Sequence, residues 1–234
     1  MIELFFVRHG QASFGQPMYD RLSPIGERQA ALLGRHFYNN GIRFDAVYSG
    51  ALRRHVQTAT IAMSQTNGEG SPDITIDADF NEFDSSDQMM NRLFTVIQED
   101  PLLSEQMKQI HTDHGAIGRI FDIAEKAEMM PVELAARMRL VQQFRHRISG
   151  AIDNVVRKVG DNKKVVVFTS GGPTAAALRQ TLATSREQTI RLGWELRNTS
   201  ITVLRHHQDQ LWLVLFNCVA HLEAQNDPGL ITYI

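Results

Sequence analysis

Short polar segments directly follow the predicted β-strands of this sequence, and they carry the residue types best suited to chemistry. Arg8-His9-Gly10 follows the first strand, residues 49–54 follow the second, Asn81-Glu82-Phe83 comes after the third, and Ser170-Gly171-Gly172 follows the fourth. In an open α/β sheet, ligands collect outside the carboxyl ends of the strands. We therefore expect these segments to meet at one edge of the sheet.

The side chains in these segments suit a phosphoryl group. Guanidinium groups such as those of Arg8 and Arg54 grip phosphate oxygens in bidentate fashion, and a helix that starts near Gly171 offers free backbone amides. A histidine such as His9 can act as a nucleophile, and a carboxylate such as that of Glu82 can act as a general acid or base. The set predicts a site for a small phosphorylated molecule.

Strands and helices alternate in the segments that must position these residues. Apolar runs typical of buried parallel strands lie at 2–7, 46–48, 74–76 and 164–169. A helical pattern starts at Pro24 and is stopped by Asn39-Asn40-Gly41, and others follow at about 52–63 and 173–182. Two further runs at 200–204 and 211–216 flank a polar turn and predict a hairpin. The alternation predicts the α/β class: a three-layer α/β/α sandwich whose mostly parallel sheet has an antiparallel edge strand.

The residue pattern changes between about residues 84 and 160, where strand-forming runs are replaced by helical patterns. Pro131 opens a predicted long helix with an apolar stripe that runs from Leu134 to Val159. We interpret residues 1–234 as a single domain in which residues 84–160 form a helical insertion over one edge of the sheet.

Composition narrows the class of protein further. The 234 residues are 43% hydrophobic and 21% charged, which is close to the globular average, and the formal net charge of −2 gives no general grip on nucleic acid or anionic membrane. The single cysteine, Cys218, excludes an internal disulfide and a multi-cysteine metal site. With neither a signal peptide nor a membrane-spanning run, we expect a cytoplasmic protein without nucleic-acid or membrane partners. The exposed edge of the hairpin offers a surface for a homodimer.

Several blocks in a fixed order carry a family resemblance. They are Val7-Arg8-His9-Gly10-Gln11, residues 22–30, residues 48–59 and Asn81-Glu82-Phe83, with Asn198-Thr199-Ser200 and His221-Leu222 towards the end. In this order and spacing they resemble the histidine phosphatase superfamily, in its phosphoglycerate-mutase-like branch. The resemblance covers nearly the whole chain apart from the predicted insertion.

The resemblance implies a role for each matched residue. It implies that His9 attacks phosphorus and becomes phosphohistidine, and that Glu82 protonates the leaving oxygen and then activates water. Arg8 and Arg54 would hold the phosphoryl oxygens, with Arg53 as the alternative to its neighbour. A covalent intermediate of this kind divides one difficult displacement into two easier steps. No metal or other cofactor is expected.

The sequence departs from the family pattern at Ser170, where the resemblance predicts a second histidine. A serine hydroxyl can donate a hydrogen bond to a phosphoryl oxygen, but it cannot become cationic. Since loss of one donor from a preorganised site commonly costs about 10²–10³ in rate, we expect slow catalysis, or that another histidine takes over the work. Backbone amides near Gly171 offset part of the loss, and Gln11 is a candidate for a further phosphate contact.

These observations favour a phosphomonoester hydrolase that acts on a small phosphorylated metabolite through phosphohistidine at His9. One alternative is a phosphoglycerate-type mutase, for which the insertion should bring basic residues over the pocket. Its candidates are sparse: Lys108, Arg119 and Lys126. The other alternative is a catalytically weak module that only binds a phosphorylated ligand, and Ser170 motivates it.

Overall fold

The computed structural model describes residues 1–13, 20–66, 72–83 and 134–233. Within them one sheet contains the six strands β1 (Ile2–Arg8), β2 (Ala46–Ser49), β3 (Ile74–Ile76), β4 (Lys163–Thr169), β5 (Ile201–His207) and β6 (Gln210–Cys218). The strand order is β3-β2-β4-β1-β5-β6, with parallel pairing from β3 to β1 and antiparallel pairing at β5 and β6. The predicted mostly parallel sheet with an antiparallel edge is confirmed.

The described helices are α1 (Pro24–Asn39), α2 (Arg53–Ser64), α3 (Leu134–Val159), α4 (Gly171–Leu182), α5 (Arg186–Glu195) and α6 (Ala220–Glu223). The signals that predict α1 act as expected. Ser23 caps the helix by accepting a hydrogen bond from the backbone nitrogen of Gly26 at 3.1 Å, and proline occupies the first helical position. Gly41, with a φ of +62°, follows its end.

Helices cover both faces of the sheet because alternate residues of each central strand point to opposite sides. On one face, Phe5 of β1 belongs to the same buried cluster as Leu33 of α1, together with residues of α2. On the other, Phe6 of β1 shares a cluster with Ile152 of α3, together with residues of α4. The sheet is therefore the middle layer of three.

The hairpin is tighter than the sequence indicates. The polar segment that we expect to form its turn is mostly strand, because β5 continues to His207 and β6 begins at Gln210. Only Gln208 and Asp209 connect them, both with positive φ, as the two-residue turn of a right-twisted hairpin requires. Trp212 on the outer strand is 57% exposed, and pairing of two copies through this edge stays a prediction.

The long helix predicted before β4 is present as α3. Its stripe is buried at Ile148, Ile152 and Val155, as the periodicity predicts. Residues 84–133, which make up most of the predicted insertion, lie outside the described residues. No helix in the described ranges is long and apolar enough to cross a membrane.

The sequence-based prediction lacks two of the described helices, the four-residue α6 and the longer α5. Helix α5 begins with a capping box in which Ser185 and Gln188 each bond the other's backbone amide. All of its residues are exposed or half-buried, so the sequence carries no apolar stripe from which to predict it.

Candidate functional site

Bonds to the end of β4 and to the segment before β5, the two strands next to β1, fix the position of His9. The backbone nitrogen of His9 donates to the carbonyl of Thr169 at 2.8 Å, and Asn198 Nδ2 donates to the carbonyl of His9 at 3.1 Å. The His9 side chain is 4% exposed. Its Nδ1 lies 2.7 Å from the carbonyl of Gly10, which assigns the ring proton to Nδ1 and leaves the Nε2 lone pair for an electrophile.

The electrostatic surroundings keep this imidazole neutral. Burial, followed by the positive charges of Arg54 and Arg8 and the neighbouring ring of His55, lowers the pKa of His9 well below its ordinary value. The bond to the Gly10 carbonyl opposes this shift without reversing it. A neutral imidazole can attack phosphorus directly, whereas an imidazolium cannot.

Burial distinguishes the two candidate arginines at the start of α2. Arg54 is 2% exposed, and its Nη1 lies 2.8 Å from Asp20 Oδ1, whereas Arg53 is exposed. The other carboxylate oxygen of Asp20 accepts from the backbone nitrogen of Arg53 at 2.8 Å. Asp20 therefore caps α2 and orients the buried guanidinium at the same time. No sequence pattern singles out this aspartate.

Arg8 reaches the first turn of α4 from the end of β1. Its Nη1 donates to the carbonyl of Leu196, and a Cβ atom placed on Gly171 would lie 3.9 Å from its Nε. The guanidinium thus lies beside the backbone amides at the helix N-terminus, where an anion is favoured. Gly171 and Arg8 come together as the sheet-edge argument predicts.

Glu82 reaches the same helix start from the segment that follows β3. Its Oε2 accepts from the backbone nitrogen of Gly172 at 3.1 Å, and its Oε1 accepts from the nitrogen of Phe83 at 2.8 Å. A Cβ atom on residue 172 would lie only 2.0 Å from Oε1. Any side chain at this position would displace the carboxylate, so glycine lets Glu82 stay where it is.

An arginine of α3 fixes the segment that carries this carboxylate. Arg147 donates from Nη1 to the carbonyls of Ala78 and Asp79, at 2.9 and 3.0 Å, and from Nη2 to those of Asn81 and Glu82, at 3.2 and 3.3 Å. The five donors of a guanidinium suit such a set of carbonyls. The long helix therefore contributes to the site by holding its acidic loop.

Ser170 is 1% exposed and stands directly before α4, but its hydroxyl does not cap that helix. Its Oγ lies 2.6 Å from His55 Nε2 instead. The ring of His55 in turn stacks on that of His9, with centroids 5.6 Å apart and planes at 28°. Sequence reasoning missed His55, although it directly follows Arg54 in one of the blocks that carry the resemblance.

Gln11 is hydrogen-bonded to α1 and to the residue directly before it. Its Oε1 accepts from the Ser23 hydroxyl at 2.6 Å, and its backbone nitrogen donates to Gln29 Oε1 at 2.8 Å. These bonds anchor the loop that leaves His9. A contact between the side-chain nitrogen of Gln11 and a phosphoryl group stays a prediction.

A second group of polar residues, around Thr199 and His221, supports the end of β1. Thr199, in the left-handed region with a φ of 55°, donates its backbone nitrogen to the carbonyls of Arg8 and His9, at 3.1 and 3.3 Å. Its hydroxyl lies 2.9 Å from Nε2 of His221. Burial, followed by the charge of His36, lowers the pKa of His221 to about 3. His221 therefore acts as a neutral structural group.

Comparisons with known proteins identify the family of this chain. The family model described as the histidine phosphatase superfamily (branch 1) matches residues 4–219. A broad-specificity phosphatase of Saccharomyces cerevisiae is 36% identical over 78 residues, which cover 31% of this chain and 34% of that protein. The match therefore spans about a third of the curated relative's length.

Solved structures share the fold at low sequence identity. A phosphoglycerate mutase from Bacillus anthracis is 17% identical with a TM-score of 0.63, covering 97% of each chain. A phosphoserine phosphatase from Entamoeba histolytica is 18% identical with a TM-score of 0.59, covering 95% of this chain and all of its own. Since the family model spans nearly the whole sequence, this chain belongs to the histidine phosphatase superfamily, in its first branch.

Proposed function

We propose that this protein hydrolyses small phosphomonoesters through a phosphohistidine formed at His9. The observation that carries the proposal is a buried, neutral imidazole that lies within the electrostatic reach of Arg8 and Arg54. Guanidinium groups stabilise charge on the oxygens of a transferring phosphoryl group. The neutral ring supplies the electron pair that this group needs.

In the first step, the lone pair on His9 Nε2 attacks phosphorus and the bond between phosphorus and the ester oxygen breaks. Protonated Glu82 gives its proton to the departing alkoxide, which leaves as an alcohol. In the second step, the Glu82 carboxylate takes a proton from water, the oxygen of that water attacks phosphorus, and the phosphorus–nitrogen bond breaks. Phosphate, free imidazole and protonated Glu82 result, so the cycle closes.

The test is release of inorganic phosphate from p-nitrophenyl phosphate by the purified chain in the presence of EDTA. Turnover of this aryl ester without added metal is the expected result. Binding of the ester without any release of inorganic phosphate would contradict the proposal. It would favour a module that only binds a phosphorylated ligand. A panel of sugar, glycerate and amino-acid phosphates then ranks substrates by kcat/KM.

The lowered pKa of His9 predicts the acid side of the pH profile. A histidine with an ordinary pKa of about 6.5 would be mostly protonated at pH 6, and kcat/KM would fall about fourfold from its value at pH 8. Because the pKa of His9 lies well below that value, the ring stays neutral and we expect little loss over this range. The measurement is kcat/KM between pH 5 and 8, corrected for ionisation of the substrate. A midpoint near 6.5 from the enzyme would contradict the environment described for His9.

Gly172→Ala is expected to lower kcat/KM by about 10- to 100-fold while the chain still folds, since displacement of a reacting group by about 1 Å has effects of this size. The added methyl group would take the place of Glu82 Oε1. Gly150→Ala is the matched control, because a Cβ atom there meets nothing within 4 Å and the residue lies inside α3. Steady-state kinetics and thermal melts of both variants check the prediction. Equal activity of the two would show that the position of Glu82 is unimportant.

A further inference from the structure

His55 is a fully buried histidine that the reaction described above does not use. Its side chain touches the site at two places: the ring stacks on that of His9, and Nε2 lies 2.6 Å from Ser170 Oγ. It stands in the first turn of α2, directly after the phosphate-site residue Arg54. A polar ring in this position must act through the groups that it contacts.

The surroundings of His55 determine where its proton lies. Burial, followed by the charge of Arg54, holds the pKa of His55 well below its ordinary value, so the ring is neutral and carries one proton. Its Nδ1 is buried and has no hydrogen-bond partner among the described residues. A buried N–H without an acceptor is rarer than a buried acceptor without a donor. The hydrogen-bond network therefore assigns the proton to Nε2, which donates it to Ser170 Oγ.

This assignment gives the Ser170 hydroxyl a direction. Its oxygen is engaged by His55, so its own proton is available for a second partner, and the first turn of α4 does not use the hydroxyl as a cap. The next residue, Gly171, lies beside the Arg8 guanidinium. An oxygen of a ligand held at this helix start is the acceptor that the hydroxyl proton would meet.

We infer that His55 and Ser170 form a donor relay: His55 Nε2–H donates to Ser170 Oγ, and the serine hydroxyl donates to a phosphoryl oxygen of the substrate. His55 is then a positioning residue, and Ser170 is the group that touches the substrate. The inference rests on the proposed function, because it takes the ligand to be a phosphoryl group. It also explains how a serine serves at a position where the family resemblance predicts a histidine.

The test uses a matched pair of variants, His55→Gln and His55→Leu, together with Ser170→Ala and the double variant His55→Leu/Ser170→Ala. Glutamine retains an N–H donor near the position of Nε2, whereas leucine has a similar volume and no donor. The dissociation constant of inorganic phosphate is measured by calorimetry for all five proteins, wild type included. This readout needs no turnover, and kcat/KM for p-nitrophenyl phosphate is measured alongside it.

We expect His55→Leu and Ser170→Ala each to weaken phosphate binding about tenfold, as loss of one hydrogen bond to a charged ligand would. The double variant should be no more than about twofold weaker than either single one, because residues that act as one unit are not additive. His55→Gln should recover most of the affinity that His55→Leu loses. A purely structural role for His55 would give no such recovery at equal melting temperature.

Additive losses in the double variant, or equal affinities of His55→Gln and His55→Leu, would overturn the relay. If His55→Leu does not fold, His55→Gln with and without Ser170→Ala decides, since the relay requires serine for glutamine to be effective. A wild-type protein that binds phosphate without turnover refutes the proposed hydrolase, while the binding series still judges the relay. A wild-type protein that binds no phosphate refutes both.

Discussion

His9→Ala is expected to lower kcat/KM for p-nitrophenyl phosphate by at least about 10⁴-fold, as removal of a nucleophile does in other enzymes with covalent intermediates. The arginines and the helix amides remain in this variant, so phosphate should still bind. The loss should appear in kcat, because the proposal requires the imidazole to form the phosphorus–nitrogen bond and not to bind the substrate. Steady-state kinetics together with phosphate calorimetry measure both quantities.

The control for this variant is His207→Ala, which removes an exposed histidine at the end of β5. It should hydrolyse the aryl ester at the wild-type rate. Hydrolysis by His9→Ala at a rate close to that of the control would mean that another group attacks phosphorus. If His9→Ala lost both phosphate binding and turnover, the substitution would have disrupted the whole site and not only removed the nucleophile.

Arg54→Lys is expected to cost at least about 10²-fold in kcat/KM, although the substitution keeps the positive charge. A lysine ammonium is a point charge and cannot reproduce the fork with which a guanidinium grips two oxygens. It also cannot hold Asp20 and a phosphoryl oxygen in the same geometry, and the wild-type Nη1 lies 2.8 Å from that carboxylate. The measurement is kcat/KM together with a thermal melt, which separates a catalytic from a folding defect.

The neighbouring residue supplies a matched control for this substitution. Arg53→Lys makes the same change one position earlier, on an exposed side chain. Arg53 is bonded to Asp20 through its backbone nitrogen, which the substitution leaves in place. We expect it to alter kcat/KM by no more than about twofold, in keeping with the small effects of most surface substitutions. Equal losses at the two positions would contradict the assignment of the phosphate arginine to the buried one.

Much of the fold follows from local patterns in the sequence. The apolar run before Arg8 is short and rich in strand-forming residues, which predicts a strand buried on both faces. The Ser23-Pro24 pair predicts a helix start, because serine caps the first backbone amides and proline suits the first helical position. The ordering of polar residues after successive strands then brings Arg8 and Gly171 to one sheet edge. Such arguments need only the periodicity of each element and the rule for where parallel strands end.

The contacts that complete the site could not be predicted in this way, because they join residues far apart in the sequence. The bond between His55 and Ser170 spans 115 positions, and those from Arg147 to the loop of Glu82 span 65 to 69. Nothing in the pattern around either residue indicates a partner at such a distance. The serine alone predicts a weaker site, and only the structure pairs it with a histidine from another helix.

The account depends on a covalent bond between phosphorus and His9, and trapping that intermediate tests it most directly. The protein is mixed with p-nitrophenyl phosphate, quenched in alkali within one turnover, digested and analysed by mass spectrometry. We predict a phosphoryl group on the peptide that contains His9, stable in alkali and lost in acid, and absent from His9→Ala. Turnover with no phosphorylated peptide, or with the phosphoryl group on a different residue, would contradict the account.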